Sequence, residues 1–490
     1  MGWKEAAEPV LTRMPSVARP EGHVPFRRKL GWTAGILVLY FFLTNVTLFG
    51  LATGSEDFFG QFRSILAGSQ GSILQLGIGP IVTASIVLQL LGGADLLGLD
   101  TSDPRDQILY QGLQKLLVVV MIVLTGLPMV FAGNFLPADP AVAQSLGVGS
   151  NSVKGLIFAQ IAVGGILILF MDEVVSKWGV GSGVGLFIIA GVSQQLVAGL
   201  FSWEALGRTS GFFPTWFGII TGSTELPSVL TAEGLQALFL GQGQILALIT
   251  TLLIFGIVVY AESVRVEIPL SHARVKGARG RFPVKLIYAS VLPMILVRAL
   301  QANVQFLGRI LNSQLGALPA WLGQYNANGQ VTGGLFYFLA PIQTRADWMW
   351  FLGLTSNEPW EIMIRILVDL TFMIIGGAIF AIFWVETTGM GPEATARQIQ
   401  NSGMQIPGFR RNPQVIEKVM ERYIPQVTVI GGALVGLLAV AANMLGTIGQ
   451  VSGTGLLLTV SITYKLYEEI AEEQLMEMHP MMRQMFGGGN

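Results

Sequence analysis

Two ionisable side chains lie inside long apolar stretches, and their chemistry constrains the molecule most. Arg298 lies in LPMILVRALQANVQF and Asp369 lies in RILVDLTFMII. A charge at the centre of a membrane costs about 3 kcal/mol on insertion scales, so each side chain requires a partner or water. Both residues lie at similar distances from the outer ends of their stretches, which predicts a structural Arg298–Asp369 ion pair. Separate exposure of the two side chains to a water-filled cavity is the alternative.

The sequence offers few residues for other chemistry. It contains no cysteine, and its three histidines, His23, His272 and His479, lie far apart in polar segments. We therefore expect no disulfide, no thiol chemistry and no metal centre. The sequence has no P-loop and no His-Glu-x-x-His motif, and no apolar stretch pairs a serine with a histidine. These observations predict neither an enzyme nor a cofactor.

The composition is that of a polytopic membrane protein. Of 490 residues, 52% are hydrophobic and 12% are charged, whereas soluble domains carry about 25% charged residues. Apolar stretches of about 20 residues predict an all-α protein with ten transmembrane helices. The predicted spans lie near residues 31–52, 73–91, 113–134, 153–171, 183–201, 240–261, 284–307, 362–384, 424–446 and 452–467.

Lysine and arginine are concentrated on one side of these spans. They cluster in the N-terminal segment 1–30 and in the loops 262–285 and 386–423. The positive-inside rule then places both termini and both loops in the cytoplasm. The first loop contains VRVEIPL, whose alternation predicts a short strand. The second loop predicts a helix over 393–401 and another from Pro413 to Arg422. The charge of these loops serves either orientation alone or docking to a large anionic partner.

The stretch LGIGPIVTASIVLQLL, residues 76–91, is apolar but begins with helix breakers. At ~1.5 Å per residue it is about 24 Å long, short of the roughly 30 Å hydrocarbon core of a bilayer. A short amphipathic helix precedes it, and its apolar stripe consists of Phe58, Phe59, Phe62, Ile65 and Leu66. Irregular backbone at membrane depth must be covered by protein or line a cavity. We therefore expect the chain to enter a cavity, turn and continue as the second span; the alternative is an interfacial helix on the outer leaflet.

Five motifs together resemble the SecY family of protein-conducting channels, and the archaeal type is the most similar. They are LGIGPIVTASIVLQLL, MDEVVSKWGVGSGVGLFIIAGVSQ (171–194), ESVRVEIPLSHARVKGARGRFPVK (262–285), FWVETTG (383–389) and SGMQIPGFRR (402–411). The resemblance runs over nearly the whole chain. It implies a ten-helix channel with a short re-entrant plug helix and two pseudo-symmetric halves, 31–201 and 240–467. The remaining segments would be the external loops 202–239 and 308–361 and a cytoplasmic tail, 468–490.

The resemblance also implies roles for individual residues. Residues 55–70 would form the plug, which closes the external funnel of the channel. A pore ring would consist of six aliphatic residues, Ile78, Val82, Val184, Ile188, Ile295 and Leu458. A lateral gate would lie between spans two and seven at Thr83 and Asn303, to which we add Gln89 and Gln305.

Partners follow from the same resemblance. The basic loops would dock the ribosome through Arg274, Lys276, Arg279, Arg281, Arg410 and Arg411. The chain would assemble with a SecE-type subunit and a small beta-type subunit, and it would contact signal peptides, nascent polypeptides and membrane lipid. The implied function is passage of unfolded, signal-bearing polypeptides across the cytoplasmic membrane, with lateral release of transmembrane segments into lipid. From the residues alone, an ion-coupled secondary transporter with a broken helix is the alternative.

Two features do not follow from the resemblance. Arg298 stands one turn from Ile295, where a small apolar residue is expected. The tail is acidic, unlike the other segments on its side of the membrane, and we assign it no partner; its carboxylates are Glu468, Glu469, Glu472, Glu473 and Glu477.

Overall fold

The computed structural model is a bundle of long helices with small sheets at its ends. It describes residues 3–22, 24–52, 62–93, 97–99, 103–132, 135–203, 211–223, 231–241, 243–272, 279–287, 291–316, 318–326, 330–353, 355, 357–401, 404–405, 413–449 and 451–478. In chain order, the helices are α1 (Trp3–Leu11), α2 (Phe26–Asn45), α3 (Arg63–Leu66), α4 (Gly79–Gly93), α5 (Pro104–Leu127), α6 (Pro140–Leu146), α7 (Ser150–Trp178), α8 (Gly183–Phe201), α9 (Phe212–Thr221), α10 (Ala232–Phe239), α11 (Ile245–Ser263), α12 (Leu292–Leu315), α13 (Leu335–Phe338), α14 (Pro359–Thr387), α15 (Pro392–Asn401), α16 (Pro413–Leu445) and α17 (Gly453–Met478).

Ten of these helices correspond to the ten predicted spans: α2, α4, α5, α7, α8, α11, α12, α14, α16 and α17. Within the described residues, six segments are long and apolar enough by themselves to cross a membrane: Arg105–Ala132, Ser150–Trp178, Gly183–Phe201, Ile245–Ser263, Pro359–Thr387 and Gln414–Leu445. Helix α4 has only 15 residues, which agrees with the half-length second span. The predicted all-α architecture is confirmed.

Local sequence signals set several helix ends. The Asp103 side chain accepts a hydrogen bond from the Arg105 backbone N–H at 3.0 Å, and Pro104 occupies the first turn of α5. Proline is favoured there because the first N–H groups of a helix have no partner within the helix. Helix α2 begins after Pro25 and includes Arg27, Arg28 and Lys29, so it starts earlier than the apolar stretch indicated.

Two boundaries differ from the sequence prediction for physical reasons. The seventh span begins at Leu292 instead of near 284, because the chain up to Lys285 forms a strand. The predicted ninth span and the predicted helix before it form one continuous helix, α16, with Pro425 in its interior. Proline removes one N–H donor from the helix, and helices packed against neighbours in a membrane tolerate that loss.

A three-stranded sheet joins the two basic loops. Strand β1 (Arg265–His272) pairs antiparallel with β2 (Arg279–Lys285), and β5 (Met404–Gln405) pairs with the far end of β1. A separate two-stranded sheet pairs β3 (Gln324–Tyr325) with β4 (Val331–Gly333). The strand predicted in VRVEIPL is confirmed by β1, and the helix predicted over 393–401 is confirmed by α15. The pairing of β5 with β1 was not predicted.

The acidic end of α17 has partners. Glu468 pairs with Lys285 and, at 3.2 Å, with Arg265, so α17 fastens both strands of the β1–β2 hairpin at its open end. Glu473 pairs with Lys29 at the start of α2. Partly exposed pairs of this kind contribute about 0.2–1 kcal/mol each. The start of α2, the acidic end of α17 and the hairpin therefore lie on one side of the bundle, named the terminal side below.

Candidate functional site

The break before α4 is built on a close backbone contact. The Ile78 N–H donates to the Leu66 carbonyl oxygen at 2.8 Å. Between these residues the chain turns at Gly77, whose φ is +53°. A Cβ atom at Gly77 would lie 2.1 Å from the Leu66 carbonyl oxygen and 2.6 Å from the Gly68 nitrogen. The half-length helix can therefore begin here only because residue 77 has no side chain.

Protein covers the short helix α3 that makes this contact. Phe62, Ile65 and Leu66 are buried. The Tyr40 hydroxyl donates to the Ala67 carbonyl oxygen at 2.9 Å, and the Tyr40 ring stacks on Phe187 with ring centroids 5.1 Å apart. The buried apolar residues of α3 are inconsistent with a helix lying on the outer leaflet. Phe58 and Phe59 lie outside the described residues.

The six predicted ring residues come from four helices that surround this point. Ile78 and Val82 lie at the start of α4, and the others lie on α8, α12 and α17. Five belong to the same buried hydrophobic core as Phe62, Ile65 and Leu66, and Val184 is partly buried against that core; the five are Ile78, Val82, Ile188, Ile295 and Leu458. Helix α3 contacts α8, α12 and α17. The six residues and α3 therefore belong to one packed apolar region.

A polar contact joins α4 to α12. The Asn303 side-chain amide donates to the Thr83 hydroxyl at 3.1 Å. The two glutamines predicted beside this contact do not take part in it: Gln305 donates to the Phe336 carbonyl oxygen at 3.0 Å, and the buried Gln89 Oε1 has no hydrogen-bond partner within the described residues. Residues two apart on a helix point in different directions, so Gln305 cannot share the direction of Asn303.

Arg298 and Asp369 are in contact and fully buried. Arg298 Nη1 lies 3.1 Å from Asp369 Oδ1 and donates to Gln301 Oε1 at 2.7 Å. Gln301 in turn donates to Asp369 Oδ1 at 3.0 Å, and the Ile342 backbone N–H donates to Asp369 Oδ2 at 3.2 Å. The pair therefore fastens α12 and α14 to the segment near Ile342, which lies between them in the chain. This geometry replaces the alternative in which each charge faces water separately.

Arg365 of α14 fastens the same segment. Its Nε donates to the Ala340 carbonyl oxygen at 3.1 Å, and its Nη2 donates to the Pro341 carbonyl oxygen at 2.8 Å. Its guanidinium also lies over the Tyr337 ring, 4.9 Å from the ring centroid. Backbone acceptors leave no signature in a sequence, so these contacts of Arg365 could not be predicted from it.

The predicted docking residues are described only in part. Arg279 and Arg281 lie in β2, opposite Ser271 and Pro269 of β1. Arg274, Lys276, Arg410 and Arg411 lie outside the described residues. The described parts of the two basic loops meet in one sheet, on the terminal side of the bundle.

Taken together, the fold and the site define a polytopic helical membrane protein with a buried apolar core and a short helix packed against it. The family model described as "SecY" matches residues 72–467, and the model described as "Plug domain of Sec61p" matches residues 38–71. The chain belongs to the SecY family.

Similar proteins extend over the full length of the chain. The protein translocase subunit SecY of Haloferax volcanii is 85% identical over 99% of this chain and 100% of its own length. The corresponding Archaeoglobus fulgidus protein is 52% identical over 98% of both chains. A solved protein-conducting channel has 38% identity and a TM-score of 0.79, covering 97% of this chain and 99% of its own. Sec61 in the canine ribosome-channel complex has 38% identity and a TM-score of 0.76, with the same coverage.

Family membership decides the class of function. This chain is a protein translocase subunit, and it forms a protein-conducting channel that passes polypeptides across or into a membrane. It is a conduit and not an enzyme. The ion-coupled transporter, which the residues alone left open, is therefore not the favoured function.

We predict that Gly77→Ala loosens the contact between residues 66 and 78. A left-handed backbone costs a residue with a Cβ about 1–2 kcal/mol, and the clash with the Leu66 carbonyl adds to that cost. Amide hydrogen exchange of the reconstituted protein should be faster over residues 66–78. The matched control is Gly79→Ala, whose Cβ would meet only Leu66 Cδ2 at 3.7 Å. Equal exchange in the two variants would show that the close contact at residue 77 is not needed.

A second prediction concerns the buried ion pair. Asp369→Asn should lower the free energy of unfolding by about 3–5 kcal/mol, because it leaves the Arg298 charge buried without a counter-ion. Replacing both residues with leucine should restore part of this loss. Recovery should be incomplete, because Gln301 and the Ile342 N–H still lose an acceptor. Denaturant unfolding in detergent micelles measures both effects, and a double variant no more stable than Asp369→Asn would contradict the pairing.

Proposed function

We propose that the six ring residues form the constriction through which the polypeptide passes, and that residues 55–70 are the plug that closes it. The observation that carries this proposal is that α3 packs against three of the four helices that supply the ring, within one buried apolar core. A ring of aliphatic side chains excludes water and ions by dewetting. It also offers a passing chain no hydrogen bonds that would hold it.

Lateral release is proposed to occur between α4 and α12. Their polar contact is the hydrogen bond from Asn303 to Thr83, and such bonds between membrane helices contribute ~0.6–2 kcal/mol. Burial of a single leucine-sized side chain contributes ~1.5–3 kcal/mol. A hydrophobic signal helix inserted between α4 and α12 therefore compensates for the loss of this bond by its own apolar contacts.

The terminal side is proposed to face the cytoplasm and to dock the ribosome. The positive-inside rule supports this orientation, and Sec61, a structural relative, is known in a ribosome-channel complex. Since β5 joins the β1–β2 hairpin, one sheet contains residues of both basic loops. Their ligand would be the phosphates of ribosomal RNA, so binding should weaken steeply with salt. We also propose that the chain lies in the cytoplasmic membrane with a SecE-type and a beta-type subunit.

The proposed seal is tested by deletion of residues 56–67. Removal of α3 should leave the apolar ring without its external support, and ion conductance of the reconstituted channel should rise above that of the intact protein. Val197→Ala, a change on the exposed face of α8, is the control and should leave the intact protein tight. A deletion variant as tight as the control would contradict the role of these residues as a plug.

A further inference from the structure

Helix α9, on the side of the bundle opposite the terminal side, has a composition unlike that of a water-exposed loop. Its sequence is FFPTWFGIIT, and residues 211–223 contain no charged side chain. Ten residues at ~1.5 Å per residue span about 15 Å, half the thickness of the hydrocarbon core of a bilayer. The helix is therefore too short to be an additional span, and the channel function described above does not use it.

One face of α9 exposes large apolar side chains. Phe213, Phe217 and Ile220 are 50%, 58% and 78% exposed. Their spacing of four and three residues places them on the same side of the helix. Contiguous exposed apolar patches of this kind mark surfaces that contact protein or membrane.

This face continues the lipid-facing side of a membrane span. The Phe213 ring lies 5.1 Å from that of Phe201, the last residue of α8, and the Phe217 ring lies 6.2 Å from that of Trp203. Phe201 and Trp203 are 60% and 66% exposed, and Val197, one turn earlier on α8, is 58% exposed. We name Phe201, Trp203, Phe213, Phe217 and Ile220 the aromatic face.

The rest of α9 is fixed to the protein. Trp216 Nε1 donates to the Gly243 carbonyl oxygen at 2.9 Å, two residues before α11 begins. At the other end the Gly222 N–H caps the helix by donating to the Gly218 and Ile219 carbonyl oxygens. The helix is therefore held between the end of one span and the start of the next, at the level where both spans leave the membrane.

We propose that α9 lies in the plane of the bilayer surface and inserts the aromatic face into the boundary between headgroups and acyl chains. Aromatic side chains are enriched at that depth, and an apolar helix face inserted there binds in proportion to its buried area. Lipid is favoured over a protein partner because the aromatic face is uncharged and continuous with the exposed side of α8. The helix then anchors the external ends of α8 and α11 at a fixed height in the membrane.

The absence of native cysteine permits a direct test. Single-cysteine variants Phe217→Cys and Ile220→Cys carry a nitroxide label, and the protein is reconstituted in phosphatidylcholine–phosphatidylglycerol vesicles. Collision rates of the label with oxygen, which partitions into lipid, and with a water-soluble nickel chelate are then measured. Val197→Cys is the lipid control. Ser145→Cys, exposed on α6, is the water control.

The proposal predicts an oxygen-to-nickel ratio at both positions that approaches the ratio of the lipid control and exceeds the ratio of the water control. A ratio equal to that of the water control would place the aromatic face in solvent and overturn the proposal. Low collision rates with both reagents would also overturn it, because they would show that a protein surface covers the helix.

Discussion

The fold depends on one constraint: backbone that leaves the helical conformation inside a membrane must find its hydrogen bonds within the protein. Here the chain meets that constraint by bringing the turn at Gly77 against the carbonyl of Leu66. The Tyr40 hydroxyl donates a second hydrogen bond next to this contact, to the Ala67 carbonyl oxygen at the end of α3. These bonds place the start of α4 beside the buried face of α3, and the proposed ring residues belong to the same buried core.

The residues proposed to close the channel differ in chemistry from those that hold the helices in place. The proposed constriction is aliphatic and has no directional bonds, which would allow it to part and close again. Buried charges instead fasten the segment 340–342 to α12 and α14, through Arg298, Asp369 and Arg365. Loss of one partner of a buried ion pair strongly destabilises a protein. The intact pair therefore holds these helices in place relative to the segment. Ile295 lies one turn from Arg298, so this framework also positions one member of the ring.

Sequence alone could predict the spans, the first strand and the broken second helix, because each rests on a local pattern of length or periodicity. The Arg298–Asp369 contact could also be inferred, since two charges at similar depth in apolar stretches need each other. The residues of the proposed ring could not be derived in this way. In the sequence Ile78 and Leu458 resemble any packed aliphatic residue, and only the family resemblance singled them out. A single sequence does not record contacts between distant segments. Such contacts determine the hydrogen bond of Tyr40 to Ala67, the pairing of Glu468 with the hairpin and the course of α16 through Pro425.

The polypeptide is proposed to pass through the apolar ring, and cross-linking of a stalled substrate to single cysteines on α8 tests this path. Ile188 faces the buried core, whereas Val197 on the same helix is exposed on the outer surface. With a substrate that carries one cysteine in its translocating segment, we predict a disulfide adduct at Ile188→Cys and none at Val197→Cys. Adducts at Val197→Cys without adducts at Ile188→Cys would place the path outside the ring and contradict the account.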